Sequence, residues 1–161
     1  MARVLVLGYG NPLRSDDGVG WHAAAQLCSS IAGPEVEILP CHQLTPELAE
    51  RTKHADRVLF LDSARAGQGG EFHCEEISAD AGSSSFTHHL SPTQLLALAR
   101  DLYGASPRAW LLTVVGCSFD AGETLSPEVE LALPKLKTRV RELIAETLFR
   151  PWPCARASSR P

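Results

Sequence analysis

The 161-residue sequence has little of several features that define common protein classes. Its five cysteines form no Cys-x-x-Cys pair, so the spacing predicts neither a disulfide framework nor a thiolate zinc site. No apolar run approaches the ~20 residues that a membrane helix needs. Basic residues are in deficit, with 15 Lys and Arg against 19 Asp and Glu. The net charge of −4 lacks the electrostatic footprint of a general nucleic-acid or anionic-membrane binder.

What is present is typical of one globular domain. Hydrophobic residues make up 44% and charged residues 21% of the chain, which is enough to build a core. The apolar run at residues 4–7 is too short for a secretory signal, so we expect a cytoplasmic protein. We predict a single domain over residues 1–150 and a disordered tail over residues 151–161, which are rich in Pro, Ser and Arg. Since the sequence shows no coiled-coil or dimer stripe, we expect a monomer.

Buried strands alternate with amphipathic helices along the chain. Continuous apolar runs at residues 4–7, 58–61 and 110–115 are typical of strands covered on both faces. Helices are predicted from about Asp17, from Ser91 and from Ser126, and Pro134 is predicted to break or restart the last one. A shorter helix is predicted to begin at Thr45 as its N-cap. The alternation predicts an α/β fold with a mainly parallel, twisted sheet and helices on both faces.

Acidic and imidazole side chains lie where such a sheet binds its ligands, beyond the carboxyl ends of the strands. They are Asp16 and Asp17 after the first glycine-rich loop, Asp62 after the apolar run at residues 58–61, and the pair His88 and His89 before a helix. Two carboxylates and one imidazole suit Zn, Ni, Mn or Fe and leave coordination positions open. Taken singly, each residue is also explained as a helix cap or a surface loop residue.

The sequence gives less support to nucleotide binding and to a cysteine nucleophile. The Gly8-x-Gly10 element lacks the third glycine of a dinucleotide fingerprint, because position 13 is leucine, and no Walker A sequence occurs. We therefore predict no nucleotide cofactor. A nucleophilic Cys117 paired with His88 remains an alternative, although small buried cysteines are commoner than catalytic ones. The remaining histidines are interpreted as surface or capping residues: His22, His42, His54 and His73.

Three segments together resemble the hydrogenase maturation proteases. The segment from Gly8 to Gly20 reads G-Y-G-N-P-L-R-S-D-D-G-V-G and matches every fixed position of that family's opening motif. Residues 58–64 resemble its second motif, an apolar strand ending in Asp. Residues 86–92 resemble its third, a Ser/Thr-His before a helix. The resemblance extends over about residues 3–149.

This resemblance implies a single-domain three-layer fold of the phosphorylase/hydrolase type and an endopeptidase activity. Members trim the C-terminus of the [NiFe] hydrogenase large-subunit precursor and recognise nickel that the substrate itself supplies. By motif position, the metal ligands are Asp17, Asp62 and His88, with His89 as the second choice, and the two aspartates are also the catalytic candidates.

The resemblance also implies supporting roles around these ligands. Asp16 is expected to be a supporting or capping residue. The loop at Gly10 and Asn11 is expected to let the backbone approach the substrate. An alternative from another class is a non-catalytic, metal-dependent chaperone or binder of the same large subunit.

Overall fold

The computed structural model describes residues 2–79 and 89–149. Five strands and four α-helices form within these residues, and one 3-10 turn (Ser15–Gly18) precedes the first helix. In chain order the elements are β1 (Val4–Tyr9), α1 (Val19–Ser30), β2 (Val36–Cys41), α2 (Leu48–Thr52), β3 (Arg57–Ala64), β4 (Phe72–Ile77), α3 (Pro92–Tyr103), β5 (Arg108–Val115) and α4 (Pro127–Leu148).

The sheet has the order β2-β1-β3-β5-β4. The first four strands in that order are parallel, and β4 joins the edge antiparallel to β5. The apolar runs of β1 and β3 are fully buried, as strands covered on both faces require. The less apolar β4 lies at an edge and alternates between half-buried and exposed positions over most of its length.

Helices cover both faces of the sheet. On one face α1 and α4 bury side chains such as Leu27, Leu136 and Leu143 against Val4 and Leu59. On the other face α2 and α3 pack Ala49, Leu95 and Ala99 against the opposite sides of β1 and β3, a cluster that includes Leu7 and Phe60. The predicted α/β fold, with a mainly parallel sheet between two helical layers, is confirmed.

Two local predictions about helices are wrong. Helix α4 runs unbroken through Pro134, although proline lacks the N–H that would bond to the preceding turn. The core contacts of Leu133 and Leu136 on either side of it hold the helix on the sheet, and this packing outweighs the lost bond. Helix α2 begins at Leu48, after a turn at residues 45–47, and no side chain caps it.

At α3 the capping prediction is confirmed. The Ser91 hydroxyl accepts from the Gln94 N–H at 3.2 Å, and the Gln94 side chain accepts from the Ser91 N–H at 2.9 Å. This reciprocal capping box fixes where the chain enters the helix just after His89. Within the described residues, no helix is long and apolar enough to cross a membrane. The predicted tail, residues 151–161, lies outside the described residues.

The strand order reverses direction between β1 and β3. The connection after β1 runs through α1 to β2 on one side, and the chain then returns to β3 on the other side of β1. In open parallel sheets, the crevice outside the carboxyl ends of the strands at such a switch point is where ligands bind. The carboxyl ends of β2, β1 and β3 therefore frame the expected site.

Candidate active site

A cleft of about 510 Å³ opens at this switch point. Its lining comes from the carboxyl ends of β1, β2 and β3 and from the segments that follow them, together with the residues that precede α3. The residues are Tyr9, Gly10, Asn11, Arg14, Asp17, His42, Gln43, Leu44, Asp62, His89 and Leu90. Segments far apart in the chain thus meet in one concave surface of a size typical for ligand sites.

Asp62 supplies one carboxylate to the cleft from within β3. The pairing of β3 with β1 ends at Leu61, so Asp62 is the first β3 residue beyond that pairing. Its Oδ1 accepts from the Ser63 N–H at 2.7 Å, and the Tyr9 hydroxyl also donates to it. Burial raises the pKa of Asp62 to about 6, and the nearby Asp17 charge contributes in the same direction.

Asp17 supplies the second carboxylate from the 3-10 turn that precedes α1. Its Oδ2 accepts from the Asn11 N–H at 2.9 Å, which closes the loop between β1 and α1 over the cleft. Gly10 permits this loop, because its φ of +138° is strained for any other residue and a Cβ there would overlap the Asp17 carbonyl oxygen. The predicted loop residues Gly10 and Asn11 therefore orient Asp17.

Close helix–strand packing brings the two carboxylates together. A Cβ at Gly20, in the first turn of α1, would overlap the Leu61 carbonyl oxygen of β3. With glycine at this position, the start of α1 lies directly on the strand that carries Asp62. The two side chains come within electrostatic range and form the acidic part of the cleft.

Asp16 is buried and points away from this pair. Its carboxylate accepts the N–H groups of Cys117, Ser118 and Ser126 at 2.7, 3.0 and 2.7 Å, and the Ser126 hydroxyl at 2.7 Å. Burial opposes ionisation, but these four donors hold the pKa of Asp16 below its ordinary value. Asp16 thus ties the loop between β5 and α4 to the segment that carries Asp17.

The structure describes only one of the two adjacent histidines. His89 is exposed and lines the cleft beside Asp62. His88, the predicted imidazole ligand, lies outside the described residues. Among residues 2–79 and 89–149, no group of three or more His, Cys, Asp or Glu side chains is arranged to hold a metal ion. The acidic groups of the described site are therefore the two carboxylates of Asp17 and Asp62.

Comparison with known proteins identifies the family. No protein-family model matches the chain. The hydrogenase expression/formation protein HupD of Bradyrhizobium diazoefficiens is 30% identical over 136 residues, which span 79% of this chain and 70% of HupD. The chain belongs to the hydrogenase maturation proteases.

Solved structures of other maturation proteases have the same fold. The [NiFe] hydrogenase maturation protease HycI of Thermococcus kodakarensis is 26% identical, with a TM-score of 0.69 over 91% of this chain and 92% of HycI. The maturating endopeptidase HybD of Escherichia coli is 24% identical and superposes with a TM-score of 0.70 over 89% of this chain and 93% of HybD. The predicted family and endopeptidase activity of this chain are therefore confirmed.

Cys117, the alternative nucleophile, does not line the cleft of this protease. Its thiol is exposed and donates to a Glu128 carboxylate oxygen at 3.7 Å. Local desolvation and the charges of Glu128 and Asp16 raise the pKa of Cys117, which keeps the sulfur protonated. Reactive cysteines have the opposite environment, one that favours the thiolate.

Among the cleft residues that were not assigned to the site from the sequence, three carry ionisable side chains. Tyr9 ends β1, Arg14 follows the glycine-rich loop, and His42 follows β2. His42 is exposed, as a surface residue was expected to be, but it faces the cleft. Its position directly after a parallel strand is the signal that could have found it. His22 differs from the surface or capping assignment, since its Nε2 is buried and has no hydrogen-bond partner among residues 2–79 and 89–149.

Proposed function

We propose that this chain removes the C-terminal extension of a [NiFe] hydrogenase large-subunit precursor after nickel has been inserted. The observation that carries the proposal is the pair of carboxylates, Asp17 and Asp62, in one cleft at the switch point of the sheet. Peptidase activity follows from the family, and the choice of substrate is supported by the hydrogenase expression/formation role named for HupD and the hydrogenase maturation role named for HycI.

Nickel belongs to the substrate in this proposal. Thiolates of the precursor hold it, and Asp17, Asp62 and His88 contact its open coordination positions. Carboxylate and imidazole ligands bind nickel without the preference for soft metals that thiolates have, so they recognise the ion without removing it. A precursor without nickel would lack this contact and would dock poorly. Cleavage would then follow insertion of the metal.

The same carboxylates supply the acid–base chemistry of hydrolysis. Cleavage adds one water molecule across the scissile peptide bond. A carboxylate oxygen of Asp17 or Asp62 accepts the proton of the attacking water, and that proton is returned to the leaving amine. Tyr9 and the Asn11 N–H orient the two carboxylates for this role. Asp16 holds the neighbouring loop and takes no part in the chemistry.

A processing assay tests the proposal. Large-subunit precursor, with and without nickel, is incubated with the wild-type protein, with Asp17→Asn, and with Asp101→Asn. Asp101 is the matched control, because it is exposed on α3 and its ion pair with Arg100 is a surface contact of small energy. We expect peptide release from nickel-loaded precursor with the wild type and the control, and none with Asp17→Asn.

Three other outcomes of this assay would change the proposal. Binding of the loaded precursor without any peptide release would favour the non-catalytic chaperone. Equal processing of nickel-free precursor would remove nickel recognition from the proposal while leaving the peptidase. Full activity in Asp17→Asn would exclude Asp17 from the machinery.

A further inference from the structure

Arg14 is a cationic side chain in the wall of the acidic cleft. It is exposed and shares the lining with Asp17 and Asp62. Over residues 2–79 and 89–149, its guanidinium makes no ion pair or hydrogen bond, including with either of these two carboxylates. Arginine carries five donors in a fixed fork, and such groups normally find acceptors. The donors of Arg14 are therefore available to whatever occupies the cleft.

The carboxylates of the cleft are already engaged by other donors. Asp17 accepts the Asn11 N–H, and Asp62 accepts the Ser63 N–H and the Tyr9 hydroxyl. These contacts hold both acids in place without help from Arg14. A guanidinium whose role was to neutralise them would pair with one of them. The arrangement instead keeps a separate cationic group beside two anionic ones.

The backbone at Arg14 is held in place by an unusual local structure. Ser15, the next residue, has a φ of +50° and is the one residue other than glycine with positive φ in the described ranges. This conformation is strained for a non-glycine residue and persists only where its surroundings impose it. Such strain is concentrated at functional sites.

Contacts with the loop before α4 impose this conformation. The Ser15 N–H donates to the Gly122 carbonyl at 2.9 Å, and the Gly122 N–H donates to the Leu13 carbonyl at 2.9 Å, so that Arg14 and Gly122 form a parallel bridge. The Ser15 hydroxyl donates to the Asp120 carbonyl at 2.9 Å. The base of the Arg14 side chain is thus clamped on both sides at the cleft.

We propose that Arg14 binds a carboxylate of the polypeptide substrate and so determines which chain segment enters the cleft. This inference rests on the proposed function. A guanidinium matches a carboxylate through two parallel hydrogen bonds, which gives direction as well as charge. Without Arg14, Asp17 and Asp62 would repel an acidic segment. The carboxylate is either an acidic side chain near the scissile bond or the chain terminus of the extension.

Steady-state processing of nickel-loaded precursor by Arg14→Gln and Arg14→Lys tests the inference. Loss of a charged hydrogen bond predicts a KM raised about 10- to 100-fold in Arg14→Gln, with kcat little changed. Lysine keeps the charge without the fork and should recover only part of this loss. Arg65→Gln is the matched control, because Arg65 follows β3 at the same edge, stacks on Phe119 and does not line the cleft.

Substrate variants then identify the carboxylate. Each acidic side chain in the precursor's terminal segment is changed to its amide, and one precursor is prepared with an amidated chain end. The substitution that removes the partner of Arg14 should raise KM with the wild type and have no further effect with Arg14→Gln. If the effect of Arg14→Gln depends on one acidic side chain of the precursor, that side chain is the partner of Arg14. If it depends on the amidated chain end, the partner is the terminal carboxylate.

Several results would overturn the inference. Additive effects with every precursor variant would mean that Arg14 binds no substrate carboxylate. An equal KM change in Arg65→Gln would mean that only the overall charge matters. If the wild type binds precursor but releases no peptide, the peptidase proposal fails, yet the same comparison of dissociation constants still tests Arg14. If the wild type does not bind any precursor, both proposals fail together.

Discussion

The Tyr9 hydroxyl donates a hydrogen bond to the Asp62 carboxylate, so the last residue of β1 orients an acid on the neighbouring strand β3. Burial, reinforced by the charge of Asp62, raises the pKa of Tyr9 and keeps it protonated as a donor. The contact favours the ionised form of Asp62, against the burial that raises the pKa of that carboxyl to about 6. The protonation state of Asp62 in the cleft therefore depends on its burial and on the hydrogen bond from Tyr9.

Removing the Tyr9 hydroxyl should raise the pKa of Asp62 further. In Tyr9→Phe we expect the pKa of Asp62 to rise above 6 by about one pH unit, because a hydrogen bond to a charged acceptor is lost. A carboxyl ¹³C titration followed by NMR measures the shift. Tyr103→Phe, at an exposed tyrosine on α3, serves as the control and should leave the titration unchanged. An unaltered Asp62 midpoint in Tyr9→Phe would show that the contact is not made in solution.

Asp62 should lower the stability of the metal-free protein at neutral pH. Because its pKa in the folded chain is about 6 instead of 3.8, folding favours the protonated form. The contribution of Asp62 to the free energy of unfolding is therefore fully present below pH 4. It falls as the pH rises through 6, by about 3 kcal/mol at most. Asp62→Asn stays neutral and should be more stable than the wild type above pH 6, with little difference near pH 4. Urea unfolding at both pH values measures this, and a variant less stable at pH 7 would contradict it.

Asp16 should have the opposite pH dependence. Its four donors lower its pKa in the folded state, so the stability it contributes is present above the ordinary value of 3.8 and lost as the pH falls below it. Asp16→Asn should cost about 3 kcal/mol at pH 7, because charged hydrogen bonds are lost in a buried place. The difference should shrink in acid. Asp120→Asn, at an exposed position on the same loop, should change the unfolding free energy little at either pH.

Cys117→Ser should process precursor as the wild type does. The thiol lies outside the cleft, and its neighbours raise its pKa, so it does not act as a nucleophile. Peptide release with nickel-loaded precursor measures this, and slow reaction of Cys117 with iodoacetamide near neutral pH is the companion expectation. A folded Cys117→Ser protein without activity would restore the cysteine–histidine mechanism.

The two adjacent histidines are separated by single substitutions. We expect His88→Ala to abolish processing, since His88 is the proposed imidazole contact to nickel. His89→Ala should weaken processing less, because His89 is exposed at the side of the cleft. Circular dichroism confirms folding in both cases. The reverse order of effects would transfer the nickel contact to His89.

Much of the fold could be predicted because its signals are local. Strands β1 and β3 are buried on both faces, and this environment leaves a continuous apolar run in the sequence. The capping box at Ser91 depends on residues only three apart. The break predicted at Pro134 failed for the converse reason: a local rule was overridden by core packing that involves distant segments.

The sequence by itself determined the α/β class, the family motif from Gly8 to Gly20, and the candidacy of Asp17, Asp62 and His88. Only the tertiary structure decided that Tyr9 orients Asp62, that Asp16 anchors the loop at Cys117 and Ser126, and that Arg14 is clamped by Gly122. These partners lie between 53 and 110 residues apart, as the residue numbers show. No periodicity or spacing encodes such contacts, because they arise where separate parallel strands end at one edge of a sheet.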